Sequence, residues 1–127
     1  MIQVAEEPIS PQGVLPGLKI ASSGSIVFHI GVVRPFSEGK KVGSIEYQIK
    51  KKEGEEELSN LARQIQKQWD IEDIALCRRA GRLSFGEVIL MAAVSAPRHK
   101  AAFAACQYAV EKMKTMASVK KRELLEE

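Results

Sequence analysis

Basic side chains recur at points in this sequence where a folded chain can gather them. Arg34 ends a short apolar, β-branched run. Arg98 and His99 stand where a helix opens. Lys114 lies near that helix's end, and Lys120, Lys121 and Arg122 follow it. Lys114 and Lys121 are seven residues apart, about two helical turns, so they share a face if the helix continues. A helix N-terminus beside Arg98 favours anions through its free N–H groups and its dipole. An amine held among cations can serve as base or nucleophile. The same charges also suit a solvated surface, with the C-terminal cations complementing a helix dipole. Spacing alone does not choose between the two.

Other chemistries lack their residues. The chain has no Gly-rich phosphate loop and no Gly-x-Ser-x-Gly elbow. His29 and His99 are the only histidines, and neither has a carboxylate or cysteine at metal-ligand spacing. No metal or cofactor is therefore expected. His29, within an apolar strand, reads as a core histidine with its hydrogen bonds made. Cys77 and Cys106 sit in apolar contexts and read as reduced, buried thiols of a reducing, cytoplasmic compartment. A net charge of +3 does not imply a nucleic-acid partner. Phe103 and Tyr108, the aromatics nearest the basic end, lie in a helix that must also build core. No apolar run approaches the ~20 residues of a membrane helix. The longest, Val88–Ala96, has strand length. Residues 1–8 hold two glutamates and no basic region, so no signal peptide is expected.

With 127 residues, 45% hydrophobic and 28% charged, the chain fits one folded domain over 1–127 rather than a disordered segment. A domain of this size buries roughly two thirds of its unfolded surface, so it needs neither disulfide nor metal to fold. Ile2–Ala5 reads as a strand. Ser10-Pro11 reads as an N-cap with proline at the first helical position, opening a short helix to about Leu18. Residues 25–33 read as a buried strand, 35–41 as a polar loop, and 42–49 as a strand with Gly43, Ile45, Tyr47 and Ile49 on one face. The charge run 50–57 reads as a solvated loop and helix start. From Glu55 a helix carries Leu58, Leu61, Ala62, Ile65 and Trp69 at helical spacing. Residues 71–77 and 87–95 read as strands around a turn at Ala80-Gly81. Ser95 and Pro97 then open a helix with the stripe Ala102, Ala105, Cys106, Ala109, Met113 and Met116. Residues 117–127 read as a polar, fraying tail. The expected class is α+β, a mainly antiparallel sheet with helices packed on it.

Five stretches, in order, resemble the molybdopterin synthase large-subunit family. They are Gly24-Ser-Ile-Val-Phe-His-Ile-Gly-Val-Val-Arg34, Ile45-Glu46-Tyr47, Gly81-Arg-Leu-Ser-Phe-Gly-Glu87, Val94-Ser-Ala-Pro-Arg-His-Lys-Ala-Ala-Phe-Ala-Ala-Cys106, and Lys114-Thr-Met-Ala-Ser-Val-Lys-Lys-Arg-Glu123. The chain departs from the family pattern in reversing the usual His-Arg pair at Arg98-His99, in Lys120 for tryptophan, in Ser118 for proline, and in Arg78-Arg79 for His-Arg.

The resemblance implies an α/β hammerhead-like fold and a defined reaction. A small ubiquitin-like subunit carries sulfur as a thiocarboxylate on its C-terminal Gly-Gly, and the large subunit transfers it to cyclic pyranopterin monophosphate, forming the molybdopterin dithiolene. The assembly it implies is a homodimer of large subunits within a heterotetramer. By the same resemblance Lys114, Lys121 and Arg34 are catalytic. Val32, Val33, Arg34, Arg98, His99, Lys114, Lys121, Arg122 and Glu123 contact substrate. The alternative is a non-catalytic relative that dimerises and binds the sulfur carrier without transferring sulfur.

Overall fold

The structure, a computed structural model, describes residues 1–34, 36–37 and 39–125. Strand β1 (Ile2–Ala5) leads to a one-turn helix α1 (Pro11–Val14) and a 3-10 turn (Leu15–Gly17). Then come β2 (Ser25–Val32), β3 (Phe36–Ser37), β4 (Lys40–Ile49), α2 (Lys51–Gln68), β5 (Asp73–Arg79), β6 (Gly81–Ser84), β7 (Val88–Ala96), α3 (His99–Met113) and β8 (Val119–Leu125). The expected α+β class is borne out. One sheet has the order β1-β5-β7-β2, in which only the β1–β5 pair is parallel. In the second sheet β4 is central, with β6 along one edge and β8 along the other.

β7 reads Val-Ile-Leu-Met-Ala-Ala-Val-Ser-Ala and is buried from Leu90 to Ala96, as befits an inner strand covered on both faces. On one face Leu90, Ala92 and Val94 meet Ile74 and Leu76 of β5 under α2 and α3. On the other, Met91 and Ala93 meet Ala75, Cys77, Val14 and Leu18. The α3 stripe is buried at every position expected, from Ala102 to Met116. Its alanines lack bulk, so the helix can lie close to the sheet. A third, smaller cluster of Val33, Ile45, Tyr47 and Leu83 joins the two sheets.

Four local readings need correction. β2 is an edge strand with alternating burial, and Ile26, Ile30 and Val32 are each more than 40% exposed. Its apolar composition matches a buried strand, and only the strand order puts it at the edge. Within the expected loop 35–41, residues 36–37 form β3 and pair with the start of β4, while Pro35 and Glu38 lie outside the described residues. The charge run belongs to α2 from Lys51 onward and is not merely solvated. Glu55 Oε2 accepts the Val4 N–H at 3.0 Å, and Lys51 Nζ donates to Val4 O at 3.1 Å. These two side chains tie the helix to β1.

The fourth concerns the C-terminal segment. α3 stops at Met113, and Val119–Leu125 forms β8, laddered antiparallel to β4. The edge of β4 opposite β6 offers a row of backbone partners, and pairing there outweighs continuation as helix. Lys114 and Lys121 therefore do not share a helical face. Glu126 and Glu127, the last of the tail residues, lie outside the described residues.

Candidate active site

β2 and β7 run antiparallel with Ser25 opposite Ala96 and Val32 opposite Val88. α3 follows β7 and packs back along β2. This places Arg34 and the C-terminal end of α3 toward one end of the molecule, and Arg98 and His99 toward the other. Gly24 permits the tight start, since its N–H donates to Ala96 O at 3.1 Å and a Cβ on it would lie 2.7 Å from Pro97 O. Arg98 is the N-cap of α3 and His99 its first residue, and both are exposed. The 15 residues of α3 set them about 22 Å from Lys114. Within one chain the predicted pair does not join the lysines.

At the Lys114 end the elements draw together. Val32 is exposed, whereas Val33 is buried, its N–H donating to Glu87 O at 3.0 Å and its carbonyl accepting from Gly86 at 3.1 Å. Arg34 emerges from this turn into solvent. Lys114 caps the end of α3 with an exposed side chain. Burial lowers the pKa of His29 below the ordinary histidine range, and the nearby Lys114 charge lowers it further. His29 is only half-buried, and its Nε2 has no hydrogen-bond partner among the described residues. It is thus not the hydrogen-bonded core histidine expected.

Lys121 stands opposite Tyr47, Arg122 opposite Glu46, and Glu123 opposite Ile45 in the β4–β8 ladder. Directly opposed residues share a face, so Lys121 and Glu123 lie on the Tyr47–Ile45 side and Arg122 on the other. Lys121 Nζ is 3.2 Å from Glu123 Oε1. The two side chains are 50% and 32% exposed to solvent, where such a pair contributes less than ~1 kcal/mol.

Beneath Tyr47 lies Arg78, which the sequence marks only as a departure from the family's His-Arg pair. Arg78 is 3% exposed, its guanidinium sits 4.3 Å from the Tyr47 ring centroid, and Nη1 donates to Ile89 O at 3.1 Å. Its Nε is buried without a hydrogen-bond partner among the described residues. Desolvation lowers its pKa, and the Tyr47 hydroxyl opposes that shift. Nothing in its sequence context marks it as buried, because a basic pair at a strand end normally reaches solvent.

Two clefts stand out on the described surface. The larger, about 750 Å³, lies along the outer side of α2 between Lys51 and Arg63. The other, about 540 Å³, is lined by Tyr47, Glu46, Ala80, Ser118 and Lys120 among others. Size is a poor guide here: the smaller cleft adjoins Tyr47 and the segment entering β8, while the larger touches none of the predicted site residues. Arg34, Lys114 and Lys121 line neither.

The MoaE protein family model matches residues 4–116. A molybdopterin synthase catalytic subunit from Bacillus subtilis is 29% identical over 125 residues, covering 98% of this chain and 80% of that one. A crystal structure of molybdopterin synthase from Staphylococcus aureus superposes with a TM-score of 0.92 at 26% identity, covering 99% of this chain and 92% of that one. The fold also occurs in a protein–protein complex of subunits 1 and 2 of molybdopterin-converting factor from Helicobacter pylori, with a TM-score of 0.75 at 12% identity, covering 97% of this chain and 84% of that one. The chain belongs to the MoaE protein family. Among the described residues no helix is long and apolar enough to cross a membrane.

Proposed function

We propose that this chain acts as the catalytic subunit of a molybdopterin synthase. It moves sulfur from the C-terminal thiocarboxylate of a small ubiquitin-like subunit to cyclic pyranopterin monophosphate, forming the dithiolene, in the cytoplasm. What supports the reading is the family match over residues 4–116, together with two placements. Lys114 from α3 approaches His29 of β2. Lys121 stands opposite Tyr47 in the β4–β8 ladder, and Tyr47 shares a buried cluster with Val33, the residue just before Arg34. In this reading the three cations, from three elements, serve a common region where a cyclic phosphate and an anionic tail both require fixed positive charge. In this reading Lys114 is the amine nearest the reacting carbon, acting in acid–base transfer or as transient acyl acceptor. Lys121 and Arg34 stabilise developing charge.

Arg98 and His99 belong to the site only if a second copy supplies them, because α3 holds them a helix length away from Lys114. The edge position of β2 and its exposed Ile26, Ile30 and Val32 suit such a homodimer. With a small subunit on each copy the assembly is a heterotetramer.

The test mixes the chain with thiocarboxylated small subunit and cyclic precursor. Lys114→Ala is expected to lower dithiolene formation by at least ~100-fold, the scale for losing a positioned proton-transfer group. Turnover within a factor of about two of the parent would refute the assignment.

A further inference from the structure

The turn between α3 and β8 carries Lys114 at its start and leads into the strand that bears Lys121. Its fixing point comes from a different element. Glu57, on the second turn of α2, accepts the Ala117 N–H at 2.8 Å through Oε2. Through Oε1 it accepts the Ser118 N–H at 2.9 Å and the Ser118 hydroxyl at 2.5 Å. Among the described residues no other side chain hydrogen-bonds to positions 114–118. The remaining bonds of the turn are backbone ones, from Lys114 to Val110, Thr115 to Lys112 and Val119 to Met116. Gly54, one turn earlier on α2, lets the helix lie close, since a Cβ there would meet Ile49, Val4 and Ser118 Oγ. Burial raises the Glu57 carboxyl, but the bonds from Ser118 and Ala117 outweigh it and hold it below the usual carboxylate range.

We propose that Glu57 is a positioning residue for sulfur transfer: by clamping Ala117 and Ser118 it sets where Lys114 and Lys121 stand relative to each other. This rests on the reading of those two lysines as the working amines. The clamp joins the only chain connection between them, and it lies three residues from each. A displacement of about 1 Å at that point reaches both amines, and misplacement on that scale can cost about 100-fold in rate. A carboxylate with two acceptor oxygens suits the role. An amide at the same place presents an NH2 group to one of the three donors.

The experiment uses the full chain complexed with thiocarboxylated small subunit and cyclic pterin precursor. Glu57→Gln is expected to lower kcat about tenfold while KM for the pterin and affinity for the small subunit change less than about twofold. In a Lys121→Ala background the same substitution is expected to add almost nothing, because the group it positions is gone. A purely structural carboxylate would multiply its full factor in both backgrounds. That result, or an unchanged kcat for Glu57→Gln, overturns the proposal. If Glu57→Gln does not fold, Ser118→Ala serves, since it removes one of the three bonds and keeps both N–H donors. A two- to threefold loss of kcat that vanishes in the Lys121→Ala background (roughly one hydrogen bond's worth) supports the clamp, and no loss overturns it. Near-normal turnover of Lys114→Ala and Lys121→Ala refutes the amine assignment together with this proposal. Normal turnover of Glu57→Gln beside inactive lysine variants refutes this proposal alone.

Discussion

Tyr47 and Lys121 stand opposite one another in the β4–β8 ladder, and the buried Arg78 guanidinium lies 4.3 Å from the Tyr47 ring centroid. A residue of the proposed site is thereby the cross-strand neighbour of a ring that covers a buried cation in the junction between the sheets. Tyr47 also belongs to the cluster with Val33, Ile45 and Leu83. Tyr47→Ala removes that packing and leaves Arg78 without its ring. A loss of about 3–5 kcal/mol is expected, as for other buried aromatic truncations, read from urea unfolding with an unchanged slope.

Arg78 invites the opposite experiment. A buried charge with one carbonyl bond, one ring and a bare Nε carries a desolvation cost that its partners only partly offset. Replacing buried charges by apolar groups of similar volume is often neutral or stabilising by about 1–4 kcal/mol. Arg78→Met is therefore expected to hold or raise the melting temperature. Arg78→Ala, which leaves a void, is expected to lower stability by about 2–4 kcal/mol.

Gly54 sits within a helix, where alanine would ordinarily gain about 1 kcal/mol. Here a Cβ would lie 2.6 Å from Ile49 Cγ2 and 2.9 Å from Val4 Cγ2. Both atoms belong to β-branched side chains with little rotamer freedom. Overpacking of this kind costs about 1–3 kcal/mol, so Gly54→Ala is expected to be net destabilising, measurable as a lower denaturant midpoint. A gain in stability would show that α2 can move away from β1 and β4 at little cost.

His29 gives a pH dependence whose sign follows from its lowered pKa. Burial, and then Lys114, favour the neutral ring in the folded state. Between that depressed value and the ordinary value of 6.5, the unfolded chain binds more protons, so stability rises with pH. The contribution is complete above the ordinary histidine range and is lost on acidification. Melting temperatures recorded from pH 7.5 down to 5.5 are expected to fall, and less steeply in His29→Gln. Equal slopes for parent and variant would rule out His29 as the source.

What the sequence revealed followed from burial on both faces or from long periodicity. β7 and α3 were legible because continuous apolar runs and a 3.6-residue stripe have few alternative readings. Arg34, Lys114 and Lys121 were singled out through motif order, and the structure sets Lys114 and Lys121 on different elements. The failures were all tertiary. Val119–Leu125 looks polar and frayed until β4 offers it an edge. Glu55 and Glu57 look like solvated charge until β1 and the 117–118 turn meet them. Ile26 and Ile30 look buried until the strand order is known. Arg78 is invisible for the same reason, because only the approach of β4 to β5 and β7 covers it.

The outermost position of β2 also governs how the protein behaves in a test tube. Its border bears Ile26, Ile30 and Val32 to water, and unpaired strand rims with apolar flanks template sticking between molecules. Wherever a second copy does not cover that rim, concentrated stocks are expected to cloud while still folded, read as light scattering at an unchanged circular-dichroism spectrum. Sulfate, which strengthens apolar association, will hasten that clouding.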